Sequence, residues 1–283
     1  MKRFKLGVLL ESFRLPAREA IAAASDLGLD GVQIYATTGE FSPDNMNSAK
    51  KQELLSMLNA GGLEISALCG DFGMGFGDME KNPELIEKSK RVIYLAKELG
   101  TNIVTTHIGV VPSDPSHERY KIMREACAKL AEYADSLDAH FAVETGPETS
   151  ATLKSFLDSL NSTGVAVNLD PANLVMVTGD NPVKAVENLS KYIVHTHAKD
   201  GIKHIDCNPE YIYRVLHPMP EELQNQRLFS EVPLGTGSVP YKEYLDALEK
   251  IGFNGYLTIE REVGENPIKD IKTAAEFLRE LDK

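Results

Sequence analysis

The segment VAVNLDPANLVMVTGDNPVKAVENLSKYIVHTH, residues 165–197, carries the pattern on which the reading of the whole chain turns. A short β-rich apolar run, Val165–Asp170, comes first. A stretch with helical spacing follows, and Pro182 suits the first turn of its helix. A second β-rich run, Tyr192–His197, completes the unit. The same alternation extends in both directions, with further runs at Lys5–Leu10, Gly31–Tyr35, Leu63–Leu68, Asn102–His107, His140–Glu144 and Tyr256–Glu260. Helical segments lie between them, Pro16–Leu27 and Glu84–Leu99 being good examples. In the second, Leu85, Ile86, Ser89, Val92, Ile93, Ala96 and Leu99 fall on one face. Pro83 suits a helix start, Ser116 and Thr149 suit caps, and Gly28, Gly61, Gly100 and Gly252 fall where helices should stop.

Eight βα units in succession argue for a parallel sheet, and eight is the number that closes one into a barrel. The expected fold class is therefore α/β, a single (β/α)8 barrel domain spanning residues 1–283. An open doubly wound sheet usually shows a glycine-rich phosphate fingerprint after its first strand. Here the first run leads into Leu10-Glu11-Ser12-Phe13-Arg14, which has none. No linker or shift in composition divides the chain. One long irregular stretch, Gly201–Gly237, follows the seventh run, on the face where barrel enzymes place their chemistry, and is expected to cover the site.

Composition narrows the function classes. Hydrophobic residues make up 42% and charged residues 25%, as in an ordinary globular protein. A net charge of −12 without visible basic clusters makes nucleic acid a poor partner. No apolar stretch approaches the length of a membrane span. The basic start, residues 1–5, leads into an apolar run broken by Glu11 and Arg14, which reads as a first strand rather than a signal peptide. Three scattered cysteines, Cys69, Cys127 and Cys207, fit a reducing cytoplasm and offer no disulfide framework.

Barrel strands are buried on both faces, so an ionisable residue in one carries a cost. Four successive runs nevertheless end in one: Phe-Ala-Val-Glu144, Val-Asn-Leu-Asp170, Val-His-Thr-His197 and Leu-Thr-Ile-Glu260. Residues two apart share a face of a strand. Counting back two from each gives Ala142, Asn168, His195 and Thr258, which are small or polar; the residues between are mostly apolar. All four ionisable groups can thus point into the barrel mouth. Three carboxylates and an imidazole brought together would repel one another without a cation. One divalent ion, Mn²⁺, Mg²⁺, Co²⁺ or Zn²⁺, resolves this. Glu262 shares the parity of Glu260 but lies beyond the strand, and His195 reads as a satisfied core histidine. His107, ending the fourth run, points toward the same mouth and is a candidate substrate contact. Lys199 shares the parity of His197 and could offset carboxylate charge or bind a substrate oxygen. Glu11, Tyr35 and Asp71 end earlier runs and read as loop residues.

At these positions the sequence resembles the xylose isomerase-like TIM-barrel superfamily of sugar isomerases and epimerases. The resemblance is carried, in family order, by Val143–Gly146, Leu169–Asn173, His195–Asp200, Pro233–Gly237 and Thr258–Glu262, all in the second half of the chain. It implies that Glu144, Asp170, His197 and Glu260 hold the metal and that Glu144 and Glu260 are the acid/base pair. The implied substrate is a small carbohydrate, and a homo-oligomer is plausible. Many members carry a histidine three residues after the aspartate. This chain has Asn173, which can hydrogen-bond but cannot shuttle a proton. The Gly235-Thr-Gly237 turn is shared across the family and reads as loop geometry rather than a phosphate site.

The expected chemistry is proton abstraction next to a carbonyl through a metal-stabilised enediolate, giving epimerisation or aldose–ketose isomerisation. A dehydratase acting on a keto-polyol of the inosose or dehydroshikimate type would begin with the same step and then expel hydroxide. The apurinic endonucleases of the superfamily need more histidines and a basic face. A non-catalytic sugar-binding protein would not need the glutamate pair.

Overall fold

The computed structural model describes residues 3–282; Met1, Lys2 and Lys283, at the ends of the expected domain, lie outside them. Eight parallel strands close into a barrel: β1 (Lys5–Leu9), β2 (Gly31–Tyr35), β3 (Glu64–Cys69), β4 (Ile103–Thr106), β5 (His140–Glu144), β6 (Val165–Leu169), β7 (Ile193–Ala198) and, last in the chain, β10 (Tyr256–Ile259). β1 pairs with both β2 and β10, which leaves the barrel no free edge. Each of the eight runs seen in the sequence is a strand, with ends shifted by no more than a residue or two.

The helices ring the barrel because their apolar faces match the apolar outer parity of the strands. In α3 (Asn82–Glu98), Leu85, Ile86, Ser89, Val92, Ile93 and Ala96 are all buried, as the spacing predicts. Each large aliphatic side chain so buried contributes roughly 1.5–3 kcal/mol. Pro83 and Pro182 sit in the first turns of α3 and of α7 (Pro182–Leu189), and Thr149 caps α5 (Ser150–Asp158). Ser116 does not cap α4 (Glu118–Ser136). That position belongs to His117, whose ring accepts from the Arg119 N–H, while Ser116 donates to Asp114. Among the described residues no helix is long and apolar enough to cross a membrane.

The stretch Gly201–Gly237 is less irregular than expected. β8 (Asp200–Lys203) and β9 (Phe229–Val232) form an antiparallel pair, and a short helix, α8 (Pro209–Ile212), lies between them. The excursion is therefore anchored at its base on a two-stranded ribbon over the barrel mouth. Asp200 fastens that ribbon to the turn that follows. Its carboxylate accepts from the backbone N–H groups of Gly201, Gly235, Gly237 and Val239 at 2.8–3.1 Å. A Cβ at Gly237 would collide with Asp200 Oδ1. The Gly-Thr-Gly turn is thus built to close on an internal carboxylate, which already occupies the N–H groups a phosphate would need.

Candidate metal and substrate site

Four side chains meet at the C-terminal mouth of the barrel. Glu144 ends β5, Asp170 follows β6, His197 lies in β7 and Glu260 follows β10. All four are buried, and one potential ligand atom from each lies within 4.8 Å of the others. The strand order places β6 and β7 between β5 and β10, so Glu144 and Glu260 flank Asp170 and His197. The parity argument holds in three dimensions.

Hydrogen bonds fix how each group faces. His197 Nδ1 looks toward the carboxylates, 3.3 Å from Glu260 Oε2, 3.5 Å from Glu144 Oε2 and 3.6 Å from Asp170 Oδ2. Its Nε2 lies 3.1 Å from Gln33 Oε1. Gln33 Nε2 donates to Thr105 Oγ1, so its Oε1 is the acceptor, and Nε2 of His197 carries the proton. The Nδ1 lone pair is thereby aimed at the cluster, as a partner behind a metal-binding imidazole would arrange.

Below lies a neutral polar layer. Asn168 Nδ2 donates to Glu144 Oε2 at 3.3 Å, which turns its Oδ1 to accept from His195 Nδ1–H at 2.9 Å. His195 Nε2 then accepts from the Thr258 hydroxyl. Both ring nitrogens are satisfied, and burial with the neighbouring His197 pushes the His195 pKa well down, keeping it neutral. It is the core histidine expected from the sequence.

Asp170 differs from its neighbours. Oδ1 accepts from the Asn173 N–H, capping the short helix α6 (Pro171–Asn173), whereas Oδ2 is buried without a hydrogen-bond partner. A buried, unmatched carboxylate oxygen is expensive. Burial pushes the Asp170 carboxyl upward against the pull of His197 and Lys199. Burial acts on Glu144 and Glu260 in the same sense, but cations outweigh it: His107 and His197 hold Glu144 low, and Lys199 with His197 holds Glu260 well below the usual range. His197, opposed by its burial, is pushed well up by Glu260 and Glu144. The cluster demands positive charge. With His107 offset by Asp71 and a divalent cation taking the place of the His197 proton, three carboxylates, the Lys199 ammonium and that cation would sum to zero, so the donor set and its orphaned oxygen fit such an ion.

Lys199 is almost fully buried and bridges Glu260 Oε2 at 3.0 Å and Glu262 Oε2 at 2.9 Å. This is the charge-offsetting arrangement anticipated for it, and it draws Glu262 to the edge of the site without adding it to the cluster. His107 lies at the mouth as expected, with Nε2 3.6 Å from Glu144 Oε1. Its Nδ1 is 3.0 Å from Asp71 Oδ2, so Asp71 is the partner that orients the ring rather than a plain loop residue. Burial would lower the His107 pKa, yet Glu144 and Asp71 push it up to about 9. Glu11, in a 3-10 turn directly after β1, accepts from the N–H of Tyr35, which is the last residue of β2 rather than a loop residue.

Three contributors were not assigned site roles from the sequence: Gln33, Asn168 and Asn173. Asn173 Nδ2 donates to Glu144 Oε1 at 2.8 Å, so it orients one of the cluster's carboxylates. Gln33 left a legible trace, a long amide in the middle of a buried strand at inward parity.

Above the cluster opens a cavity of about 600 Å³. His107, Glu144, Asn173 and Lys199 line its inner end, and Tyr213 and Phe229 reach it from the β8–β9 excursion. Expectation and structure thus agree that this excursion covers the site.

The chain matches the description "Xylose isomerase-like TIM barrel" over residues 21–281. It is 24% identical over 257 residues to fructoselysine 3-epimerase of Shigella flexneri, covering 87% of this chain and 86% of that protein. With inosose dehydratase of Clostridium botulinum (strain Eklund 17B / Type B) it shares 22% over 172 residues, 58% of this chain. That match takes in 55% of the dehydratase, so it spans less than two thirds of this relative's own length. Among solved structures, the xylose isomerase domain protein from Planctomyces limnophilus superimposes with a TM-score of 0.79 at 25% identity, covering 99% of this chain and 97% of that one. A closed barrel, a carboxylate–histidine cluster at its mouth and a match over nearly the full chain lead to one assignment: the protein belongs to the xylose isomerase-like TIM barrel family.

Proposed function

We propose that the protein is a divalent-metal-dependent isomerase or epimerase of a small sugar, ketose or sugar phosphate, acting by proton abstraction next to a carbonyl. The observation that carries this reading is the convergence of Glu144, Asp170, His197 and Glu260 around the unmatched Asp170 Oδ2. These four residues would hold the cation through three carboxylates and His197 Nδ1, a donor set suited to Mn²⁺ or Mg²⁺ and open to Co²⁺ or Zn²⁺. The ion would supply Lewis acidity, polarising the substrate carbonyl.

The remaining roles belong to the chain itself. Glu144 and Glu260 flank the cluster from two sides, so one carboxylate removes the proton and the other returns it. Asn173 and Asn168 hold Glu144 in place by hydrogen bonds, and Lys199 holds Glu260. Lys199 uses two of its three N–H donors on Glu260 and Glu262 and borders the cavity, which leaves one for a substrate oxygen. His107, oriented by Asp71, contacts a substrate hydroxyl beside Glu144.

A second reading, dehydration of a keto-polyol, is favoured by the similarity to a protein named inosose dehydratase. It shares the first proton transfer and differs in losing water afterwards. The experiment is metal analysis of the purified protein beside Glu260→Gln, followed by incubation of the metal-loaded protein with ketoses in deuterated water. About one equivalent of metal, weakened in the variant, and deuterium entering the carbon next to the carbonyl support the proposal. A product lighter by one water selects the dehydratase. Absence of metal after incubation with Mn²⁺, together with no exchange, refutes both.

A further inference from the structure

The cavity above the carboxylate cluster carries polar groups on its outer side as well as at its inner end, and most of them are matched within the chain. His107 is paired with Asp71, and Glu144 accepts from Asn173. Lys199 bridges Glu260 and Glu262. Glu231 is held by Arg261 at 2.6 Å and accepts from the Glu262 N–H as well. Ser230 Oγ lies 2.9 Å from His204 Nε2.

Two lining groups, both from the β8–β9 excursion, are exceptions. Among the described residues the Tyr213 hydroxyl and the Arg227 guanidinium make no hydrogen bond or ion pair. The phenol is satisfied by water or by any hydroxyl. The guanidinium is more demanding, because it has five N–H donors, accepts nothing and keeps its charge at every working pH. An arginine open to water needs no protein partner, and Arg214, exposed on the same excursion, is of that kind. Arg227 is also exposed but differs in its place, two residues before β9 on the lining of the cavity that leads to the cluster. Of the cations on that lining, Lys199 and His107 are committed to carboxylates and Arg227 is not.

The surroundings give this cation its weight. The chain has a net charge of −12, so an anionic ligand gains nothing from the general field and needs a local cation. The N–H groups of Gly235 and Gly237, which would otherwise cradle an anion, are taken by Asp200. Arg227 is left as the group that matches an anion, and its planar fork suits two oxygens at once. We infer that the substrate is an anionic sugar, whose polyhydroxy carbonyl part lies at the carboxylate cluster and whose phosphate or carboxylate lies at Arg227, which selects it. This rests on the proposed carbohydrate chemistry and narrows the class of carbohydrate.

The test uses compounds that keep the ketose carbonyl and differ only in the group at the far end. They are D-fructose, D-fructose 6-phosphate and D-fructuronate, with dihydroxyacetone and its phosphate as a pair free of stereocentres. Calorimetric titration of the metal-loaded protein gives each affinity. An anionic compound should bind about tenfold or more tightly than its neutral counterpart, as expected for one charge-assisted pair at an open site. Whether the phosphate or the carboxylate is preferred identifies the group. Arg227→Met should reduce the preference to about twofold or less, with the affinity for the neutral ketose unchanged. Arg214→Met removes the same charge from the excursion outside the cavity and should leave the preference intact. No binding, no preference in either set, a preference that survives Arg227→Met because the anion sits on the metal, or one lost equally in Arg214→Met would overturn the inference. Metal content and deuterium exchange, measured on the same samples, show separately whether the underlying chemistry stands.

Discussion

Replacing Asp200 with asparagine should loosen the cover of the site and cost the protein much of its stability. Asp200 is 1% exposed, and its two oxygens each accept from two backbone N–H groups. Oδ1 serves Gly201 and Val239, and Oδ2 serves Gly235 and Gly237. Asparagine keeps one acceptor oxygen and turns an amide donor toward the other pair. Two N–H groups then lose their acceptor, buried if they are those of Gly201 and Val239 and partly buried if they are those of Gly235 and Gly237, at up to about 1–3 kcal/mol each, giving a loss of up to about 2–6 kcal/mol. The surviving pair also loses the advantage of a charged acceptor. Against a typical net stability of about 5–15 kcal/mol this is a large fraction. Urea unfolding followed by circular dichroism and tyrosine fluorescence measures the loss; the chain has no tryptophan. Amide hydrogen exchange should show Gly235, Gly237 and Val239 among the first to lose protection, because the turn after β9 depends on this carboxylate. A loss under about 1 kcal/mol with unchanged exchange at those amides would refute the reasoning, since it would mean that the acceptors are replaceable by water.

Two further outcomes follow from the buried polar groups. Gln33→Leu removes the acceptor behind His197 Nε2 and should weaken metal binding about 10–100-fold, measured by competition with a chelator; unchanged affinity would show that Gln33 does not orient the ring. Glu148 accepts from the Val111 N–H through Oε2, its Oε1 has no partner, and burial pushes its pKa up from 4.5 to about 8. The folded value exceeds the unfolded one, so the stabilising effect of the bound proton is complete below 4.5 and is lost as pH rises through about 8. Between those limits wild type should lose about 1.4 kcal/mol per pH unit relative to Glu148→Gln. Parallel stability curves from pH 6 to 9 would contradict this.

Which features were legible beforehand depended on the distance over which each is encoded. Strands, helices and the closing number of eight rest on periodicity within single segments, and the structure reproduces all eight strands. The four cluster residues were legible for the same reason. Each ends a strand whose parity of two is a local property, and a barrel turns equal parity into convergence. Where local signals compete, reading fails: Ser116 and His117 both offer an acceptor at a helix start, and only the chain path into α4 chose His117.

The tertiary structure alone decided what lies behind and above the cluster. Gln33 meets His197 across 164 residues of sequence, and Lys199 meets Glu260 across 61. Asp71 reaches His107 from a neighbouring loop, and the cavity lining joins residues that follow β4 and β6 to residues of the β8–β9 excursion. No local period marks such partners, because hydrogen-bond geometry and shared burial exist only after the barrel has closed. Sequence by itself determined the barrel and which side chains face its mouth; the folded chain decided how those side chains are oriented, neutralised and covered, because these depend on contacts between segments distant in sequence.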